Sequence, residues 1–413
     1  MYSVLNVYLL DRFVGRFSYE SQGGSYSFQY DPDYLANPTE GSLSYSLPLR
    51  SEAYGEETSL NFFANLLPPV YVRKKLEKCI HISAGNVFGF LKALGGDCAG
   101  AVSLYPEGVR PGSGKDEIVR ELDESEAVEI LKSLRRRPLY ANGETGYRYS
   151  GAGAQDKLIA RVRDGRVFLP LYGTPSTHLV KPANVDFPDS VENEHFCQML
   201  ARRVGISAAE SAILVLNGER YYATLRYDRD YSGGTVRRLH QEDFCQMLSV
   251  DPERKYEEQG GPTAAQCLDS LRRMRAGLPS MTAFIDAIAY NFLIGNADAH
   301  AKNHSVLYRG GRPMLAPLYD LVSTAVYPEL SRDFAMSIGG TRRIGRVGRA
   351  DFERLAADCG ISAKLVCERL DLLAGRIVTE AESLVGELDW DFPSDVYRRI
   401  LDVIKSQVAL VAS

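Results

Sequence analysis

Apolar and polar residues alternate through the first part of this chain, as a half-buried strand requires. Ser25-Tyr26-Ser27-Phe28-Gln29-Tyr30 shows it most clearly, with Gly23-Gly24 as a turn before it. Ser3 to Leu10 and Phe13 to Tyr19 read as two further strands joined at Asp11-Arg12. Leu60 to Leu67 is an apolar helical segment stopped by Pro68-Pro69, and Val70 to Ile80 reads as a cationic helix. Gly85 to Leu94 is apolar again, and Gly95 to Gly100 turns into a short strand. Pro106 to Lys115 is rich in Pro and Gly and reads as a linker.

Leu122 to Leu134 has the pattern of a polar helix, with Asp123 or Ser125 as its cap and Pro138 beyond its end. Strands are expected at Leu158 to Val162, at Thr177 to Lys181, and at Ala212 to Leu216 and Tyr221 to Tyr227, the last two joined across Asn217-Gly218. Val191 to Val204 is helical, with Phe196, Met199 and Leu200 on its apolar face. Beyond Arg229 the period becomes that of helices: Glu242 to Leu248, Thr263 to Arg275, Met281 to Ile294, Asp351 to Cys359, Ser362 to Leu373, Ile377 to Val385 and Ser394 to Val408.

With 413 residues the chain has material for two or three domains. A net charge of -5 argues against nucleic acid as the main ligand, although Arg135-Arg136-Arg137 and Arg342, Arg343, Arg346 and Arg349 are local basic clusters. The seven cysteines are odd in number and none is in Cys-x-x-Cys spacing, which argues against a disulfide framework and a structural zinc site. No apolar run is long enough to cross a bilayer, and the start of the chain lacks the pattern of a signal peptide. A cytoplasmic protein without a membrane partner is expected.

The chemistry gathers where the apolar helix ending at Ile294 meets Gly295. There Gly295-Asn296-Ala297-Asp298-Ala299-His300-Ala301-Lys302-Asn303 puts an aspartate five positions before an asparagine. A second aspartate, Asp320, follows in Pro317-Leu318-Tyr319-Asp320. Phosphoryl transfer needs such a set: one Asp takes the proton of the attacking hydroxyl, and an Asn and a second Asp hold magnesium. Upstream, Ser150-Gly151-Ala152-Gly153-Ala154-Gln155-Asp156-Lys157 is small enough for backbone N–H groups to approach phosphates, although the third glycine of a kinase loop is replaced by Asp156. Lys181 ends a strand, as a lysine for the α- and β-phosphates would, and Glu194 (or Glu192) on the next helix is its candidate partner. Leu225-Arg226-Tyr227-Asp228-Arg229 falls where an interlobe hinge would, with Tyr227 near an adenine ring. The expected architecture is α+β: a bilobal, protein-kinase-like fold with an added N-terminal β-rich subdomain (1–105), an N-lobe-like region with the Gly-rich loop (106–229) and a helical C-terminal lobe (230–413).

These blocks, together with Arg238-Leu239-His240-Gln241-Glu242-Asp243-Phe244-Cys245-Gln246 and Gly260-Gly261-Pro262, resemble the HipA family of serine/threonine kinase toxins from bacterial type II toxin–antitoxin modules. The resemblance implies ATP and magnesium as cofactors. It implies Asp298 as the catalytic aspartate, Asn303 and Asp320 as magnesium ligands, and Lys181 as the phosphate-binding lysine. Ala152, Gly153 and Ala154 fall in the loop over the phosphates, and His300 near the metal and γ-phosphate. Ser150 matches the serine that family members autophosphorylate to switch themselves off. A HipB-like helix-turn-helix antitoxin is implied as partner, with operator DNA reached only through it, and an aminoacyl-tRNA synthetase as protein substrate, blocking translation. Leu225 departs from the family, where an acidic residue is frequent. Two other readings share the same residues: a small-molecule phosphotransferase and a non-catalytic co-repressor.

Overall fold

Four strands frame the start of the chain in the computed structural model, which describes residues 2–38, 41–111, 117–233 and 235–412. They are β1 (Tyr2–Leu9), β2 (Arg12–Glu20), β3 (Ser25–Tyr30) and β4 (Val102–Pro106), in the order β3-β2-β1-β4. All their pairings are antiparallel. Leu5, Val7 and Leu9 are buried from one face of β1, so the alternation of the sequence is the pleat of the sheet. The helices Glu56–Ala64 and Val87–Leu94 cover this core. Phe63 lies 4.2 Å, ring centre to ring centre, from Phe17 and 5.6 Å from Phe28.

A second sheet has six strands: β5 (Val119–Glu121), β6 (Leu158–Arg163), β7 (Arg166–Pro170), β8 (His178–Pro182), β9 (Ser211–Leu216) and β10 (Glu219–Leu225), in the order β5-β7-β6-β8-β10-β9. Asn217 and Gly218 join the last two with positive φ at both positions, as the Asn-Gly pair predicts. Asp123 caps the helix Glu124–Ser133 by accepting from the Glu126 amide at 2.8 Å. The expected linker at Pro106 to Lys115 lies partly outside the described residues, which omit 112–116.

By their internal contacts the residues form two units. The first, here the N-terminal unit, takes in Met1–Pro182, Leu214–Glu253 and Leu307–Arg312. The second, the helical unit, takes in Ala183–Ile213, Arg254–Val306 and Pro313–Ser413.

At the centre of the N-terminal unit is an ionic cluster that the sequence did not announce. Asp97, wholly buried, accepts from Arg229 at 2.9 Å and Arg238 at 2.8 Å, with Arg226 at 3.4 Å. Arg226 also grips Asp228 at 2.6 Å. Burial alone would raise the Asp97 carboxyl, but Arg229, Arg238 and Arg226 outweigh it and hold it well below the usual range. Asp97 thus meets arginines far along the chain, and the hinge-like Arg226 to Arg229 is built into the cluster.

The helical unit packs the helices Ser190–Arg203, Ala264–Arg273, Gly277–Leu293, Arg349–Asp358, Ala363–Asp391 and Val396–Val411. Phe196 stacks on Tyr397 at 5.4 Å and Phe292 meets Phe352 at 5.3 Å. Two expectations are corrected. Ser362 to Leu373 and Ile377 to Val385 are parts of one helix, Ala363–Asp391. Leu370, Leu373, Ile377, Ala381 and Leu384 keep one buried stripe across Gly375, whose helix penalty of about 1 kcal/mol is small beside that burial. Glu242 does not start a helix. It lies on the strand His240–Asp243, and Asp243 caps a single turn, Phe244–Met247. The Glu242 carboxylate is buried on Ser44 Oγ (2.5 Å), the Tyr45 amide (3.0 Å) and Tyr308 OH (2.5 Å), contacts that fix it in the strand.

Candidate active site

The apolar helix Gly277–Leu293 delivers the chain to Gly295, which has φ +66°. A β-carbon there would stand 2.7 Å from both Ala325 Cβ and Val403 Cγ1, so only glycine makes this exit without displacing the core. The loop that follows is pinned by neutral groups. The Asn296 amide donates to Asn291 Oδ1 at 2.8 Å and its Oδ1 accepts from the Asp298 N–H at 3.1 Å. Thr324 Oγ1 accepts from the Ala297 N–H at 2.8 Å, and the Ala335 N–H donates to the Ala297 carbonyl at 2.8 Å. Asp298 emerges from this frame with part of its surface open to solvent and its carboxyl crowded by its neighbours.

Around Asp298 the predicted residues converge. Asn303 Nδ2 donates to the Asp298 carbonyl at 3.1 Å, and the His300 N–H to the same oxygen at 2.8 Å. The Asp320 carboxylate acts on both Asp298 and His300, raising the pKa of each. Asp320 has φ +58°, a conformation that costs a non-glycine residue and is tolerated where the surroundings determine it. Loss of hydration raises the Asp298 carboxyl, Lys255 and the Tyr256 hydroxyl pull it down, and Asp320 adds to the rise. Burial, reinforced by Lys255, holds His300 well below its ordinary value, so the imidazole is neutral at pH 7. Its Nδ1 is buried without a hydrogen-bond partner.

Two features of this unit were not legible in the sequence. Tyr256 donates its hydroxyl to Asp298 Oδ1 at 2.7 Å. The helix Ser190–Arg203, read as the carrier of Glu194, also clasps the Asp320 segment. Asn193 exchanges bonds with Ser323 in both directions, at 3.0 and 2.9 Å, and Gln198 Nε2 donates to the Leu318 carbonyl at 2.7 Å. Tyr319 OH bridges Ser305 Oγ and the Lys302 carbonyl, each at 2.7 Å. Buried amides on a helix were the available signal. Glu194 is itself buried on this helix.

Ser150, Ala152, Gly153, Ala154, Lys181 and Tyr227 belong to the N-terminal unit. Lys181 is buried on β8, opposite Tyr222 of β10, with Nζ 5.4 Å from that ring centre. Ser150 is 2% exposed and its hydroxyl donates to the Leu66 carbonyl. Lys157 Nζ donates to the Ala152 carbonyl at 2.7 Å, folding the small-residue loop back on itself. Tyr227 OH donates to Gln241. In the helical unit, the basic cluster near its end is largely answered by carboxylates: Arg342 by Glu258 (2.8 Å), Arg343 by Asp333 (3.4 Å) and Arg349 by Asp371 (2.6 Å). Arg346 is exposed.

The donor set of Asn303 and Asp320 is all oxygen, which suits a hard cation that completes its shell with water and phosphate. Among the described residues no group of three or more His, Cys, Asp or Glu is placed to hold a metal ion by itself.

An α+β chain with an aspartate–asparagine loop and a downstream aspartate on such a frame has the parts of a phosphotransferase. Family comparison gives the particular kind: residues 5–105 match the HipA N-terminal domain and residues 149–381 the HipA-like C-terminal domain, and the chain belongs to the HipA family. Y4mE of Sinorhizobium fredii, a kinase by name, is 40% identical over 95% of this chain and 93% of its own length. The serine/threonine-protein kinase toxin HipA of Shewanella oneidensis is 27% identical over 95% of this chain and 92% of its own. The fold matches Shewanella oneidensis HipA, solved with HipB and its operator DNA, at a TM-score of 0.83 and 24% identity, over 98% of this chain and 95% of that one. No helix among the described residues is long and apolar enough to cross a membrane.

Proposed function

We propose that this protein is an ATP- and magnesium-dependent serine/threonine protein kinase acting as the toxin of a HipA/HipB-like module. The observation that carries the reading is the loop Gly295 to Asn303: an exposed Asp298, an Asn303 amide tied to its carbonyl, and Asp320 within electrostatic reach. Asp298 takes the proton of the acceptor hydroxyl, and its raised pKa favours that role. Asn303 through Oδ1 and Asp320 through its carboxylate would hold magnesium, which when bound offsets the charge of the transferring phosphoryl group. Neutral His300 offers the γ-phosphate a donor rather than a charge. Lys181, Glu194, the loop of Ala152, Gly153 and Ala154, and Tyr227 keep the nucleotide-binding roles expected of them from the sequence.

Ser150 is the site of self-inactivation. Its hydroxyl is buried on the Leu66 carbonyl, with no room for a dianion, so phosphorylation traps the loop outside its seat. The wider reading is a cytoplasmic toxin that phosphorylates an aminoacyl-tRNA synthetase, is neutralised by a HipB-like antitoxin, and meets operator DNA through that antitoxin. Incubation with labelled ATP and magnesium, followed by mass spectrometry, tests the core of it. Phosphate is expected on Ser150 in the parent, and its incorporation into Asp298→Asn should be slower on the order of 10²- to 10⁴-fold while nucleotide binding persists. Undiminished transfer by Asp298→Asn would sink the assignment.

A further inference from the structure

Asp298 is held by a side chain to which none of the roles above is given. The Tyr256 hydroxyl donates to Asp298 Oδ1 at 2.7 Å, and its ring stands edge-on to His300, 5.3 Å between centres and 85° between planes. Lys255 Nζ lies 5.1 Å from the centre of the same ring. A phenol in this place could be a gate that a substrate hydroxyl pushes aside, or a fixed arm that aims the carboxylate.

The backbone decides between them. The Tyr256 carbonyl accepts from the Gln259 and Gly261 N–H groups, both at 2.9 Å, which closes a tight turn. Gly260 has φ +82°, and a β-carbon on Gly261 would stand 2.3 Å from the Arg254 carbonyl oxygen and 2.7 Å from that of Tyr256, so the turn is closed as far as backbone permits. Glu257 next to the tyrosine is anchored as well, accepting from the Ser337 N–H at 2.6 Å and its hydroxyl at 2.8 Å. On the far side Thr263 and Gln266 form a capping box that starts the helix Ala264–Arg273. A tyrosine fixed on both flanks is an arm and not a gate.

We infer that Tyr256 is a positioning residue for phosphoryl transfer: by occupying Asp298 Oδ1 it fixes the carboxylate rotamer and turns Oδ2 toward the acceptor hydroxyl. A carboxylate accepts on both oxygens, so one can be anchored while the other receives the proton. The inference rests on the reading of Asp298 as the base. The reaction itself is unchanged: the acceptor oxygen bonds to the γ-phosphorus, the bond from that phosphorus to the β–γ bridging oxygen breaks, ADP departs, and the acceptor proton goes to Asp298.

Tyr256→Phe keeps the ring and removes the one donor. In single-turnover self-phosphorylation with ATP and magnesium, its limiting rate should fall about tenfold, in line with a lost hydrogen bond to a charged group. The ATP concentration for half-maximal rate should change less than twofold, which also shows that the variant is folded. Incorporating 4-aminophenylalanine at 256 restores a donor at similar reach and should recover most of the rate. In the Asp298→Asn background, Tyr256→Phe should slow the residual transfer no further, because the two act as a unit. A rate for Tyr256→Phe equal to or above the parent's overturns the inference, as does phosphate found on Tyr256 itself. If Asp298→Asn transfers phosphate normally, the kinase reading fails first. If Asp298→Asn loses transfer while Tyr256→Phe keeps the parent's rate, only the present inference fails.

Discussion

In the N-terminal unit the polar interior is ionic, whereas in the helical unit the groups that pin the Asp298 loop are amides and hydroxyls. Asp97 and Asp228 are buried among Arg226, Arg229 and Arg238 and spend their charge on them. Asn193, Gln198, Asn291, Asn296 and Thr324 fix the loops of Asp298 and Asp320 without a formal charge among them. The difference follows from what each region has left to do. The charges of the Asp97 cluster are buried against one another, so they serve the scaffold. Neutral bonds fix the loops that carry Asp298 and Asp320, the two carboxylates to which the proposed transfer gives roles.

The largest break in this contrast comes from Asp97→Ala. It leaves Arg226 and Arg229 to share Asp228 and leaves Arg238 with the Asp11 carboxylate at 3.8 Å, and stability should drop by about 3–5 kcal/mol, the cost of stranding a buried charge. Urea melts read it directly. A loss below about 1 kcal/mol would mean that water or rearrangement compensates the cluster.

Next comes a pH effect in the same unit. Burial pushes Glu242 up to about 7 from 4.5, against the hydrogen bonds from Ser44 and Tyr308. The folded protein therefore binds a proton that the unfolded chain has released between about pH 4.5 and 7. Stability should fall as pH rises through that window, by roughly 3 kcal/mol, and level off above it. Glu242→Gln should remove this slope from melts measured between pH 5 and 8. A slope that survives the substitution would assign it to another group.

Much of this arrangement was legible before any coordinates. The alternation in Ser25 to Tyr30, the Asn217-Gly218 turn and the Asp123 cap are local signals, and the structure realises them as written. Asp298, Asn303 and His300 fall on one short loop, so their grouping was also local. What escaped was non-local. Asp97 lies more than a hundred residues from the arginines that give it meaning, and Tyr256 is separated from Asp298 by a whole helix-rich stretch. Glu242 reads as helical by spacing, but its three donors come from residues 44, 45 and 308. The split placed between Leu373 and Ile377 failed because one glycine weighs little against a continuous buried stripe.

Asn193→Ala is the smallest of these perturbations and the one that most sharpens the contrast. Asn193 donates to the Ser323 carbonyl and accepts from the Ser323 N–H, three residues past Asp320. Truncation strands both backbone groups, at a cost of about 1–3 kcal/mol, at or below the low end of the Asp97 effect. If neutral bonds serve geometry more than stability, the functional loss should be out of proportion to that figure. Asp320 would lose its fixed conformation, so the magnesium concentration for half-maximal phosphate transfer should rise several-fold while ATP affinity without metal stays constant. Asn193→Asp is the companion variant: it keeps an acceptor for the Ser323 N–H but offers no donor to the Ser323 carbonyl, and it adds a charge to a neutral frame. Magnesium dependence should be at least as impaired in Asn193→Asp as in Asn193→Ala. Two variants that melt early but titrate magnesium like the parent would show that the helix Ser190–Arg203 supports the fold alone, and the contrast between the two units would then be one of chemistry without functional consequence.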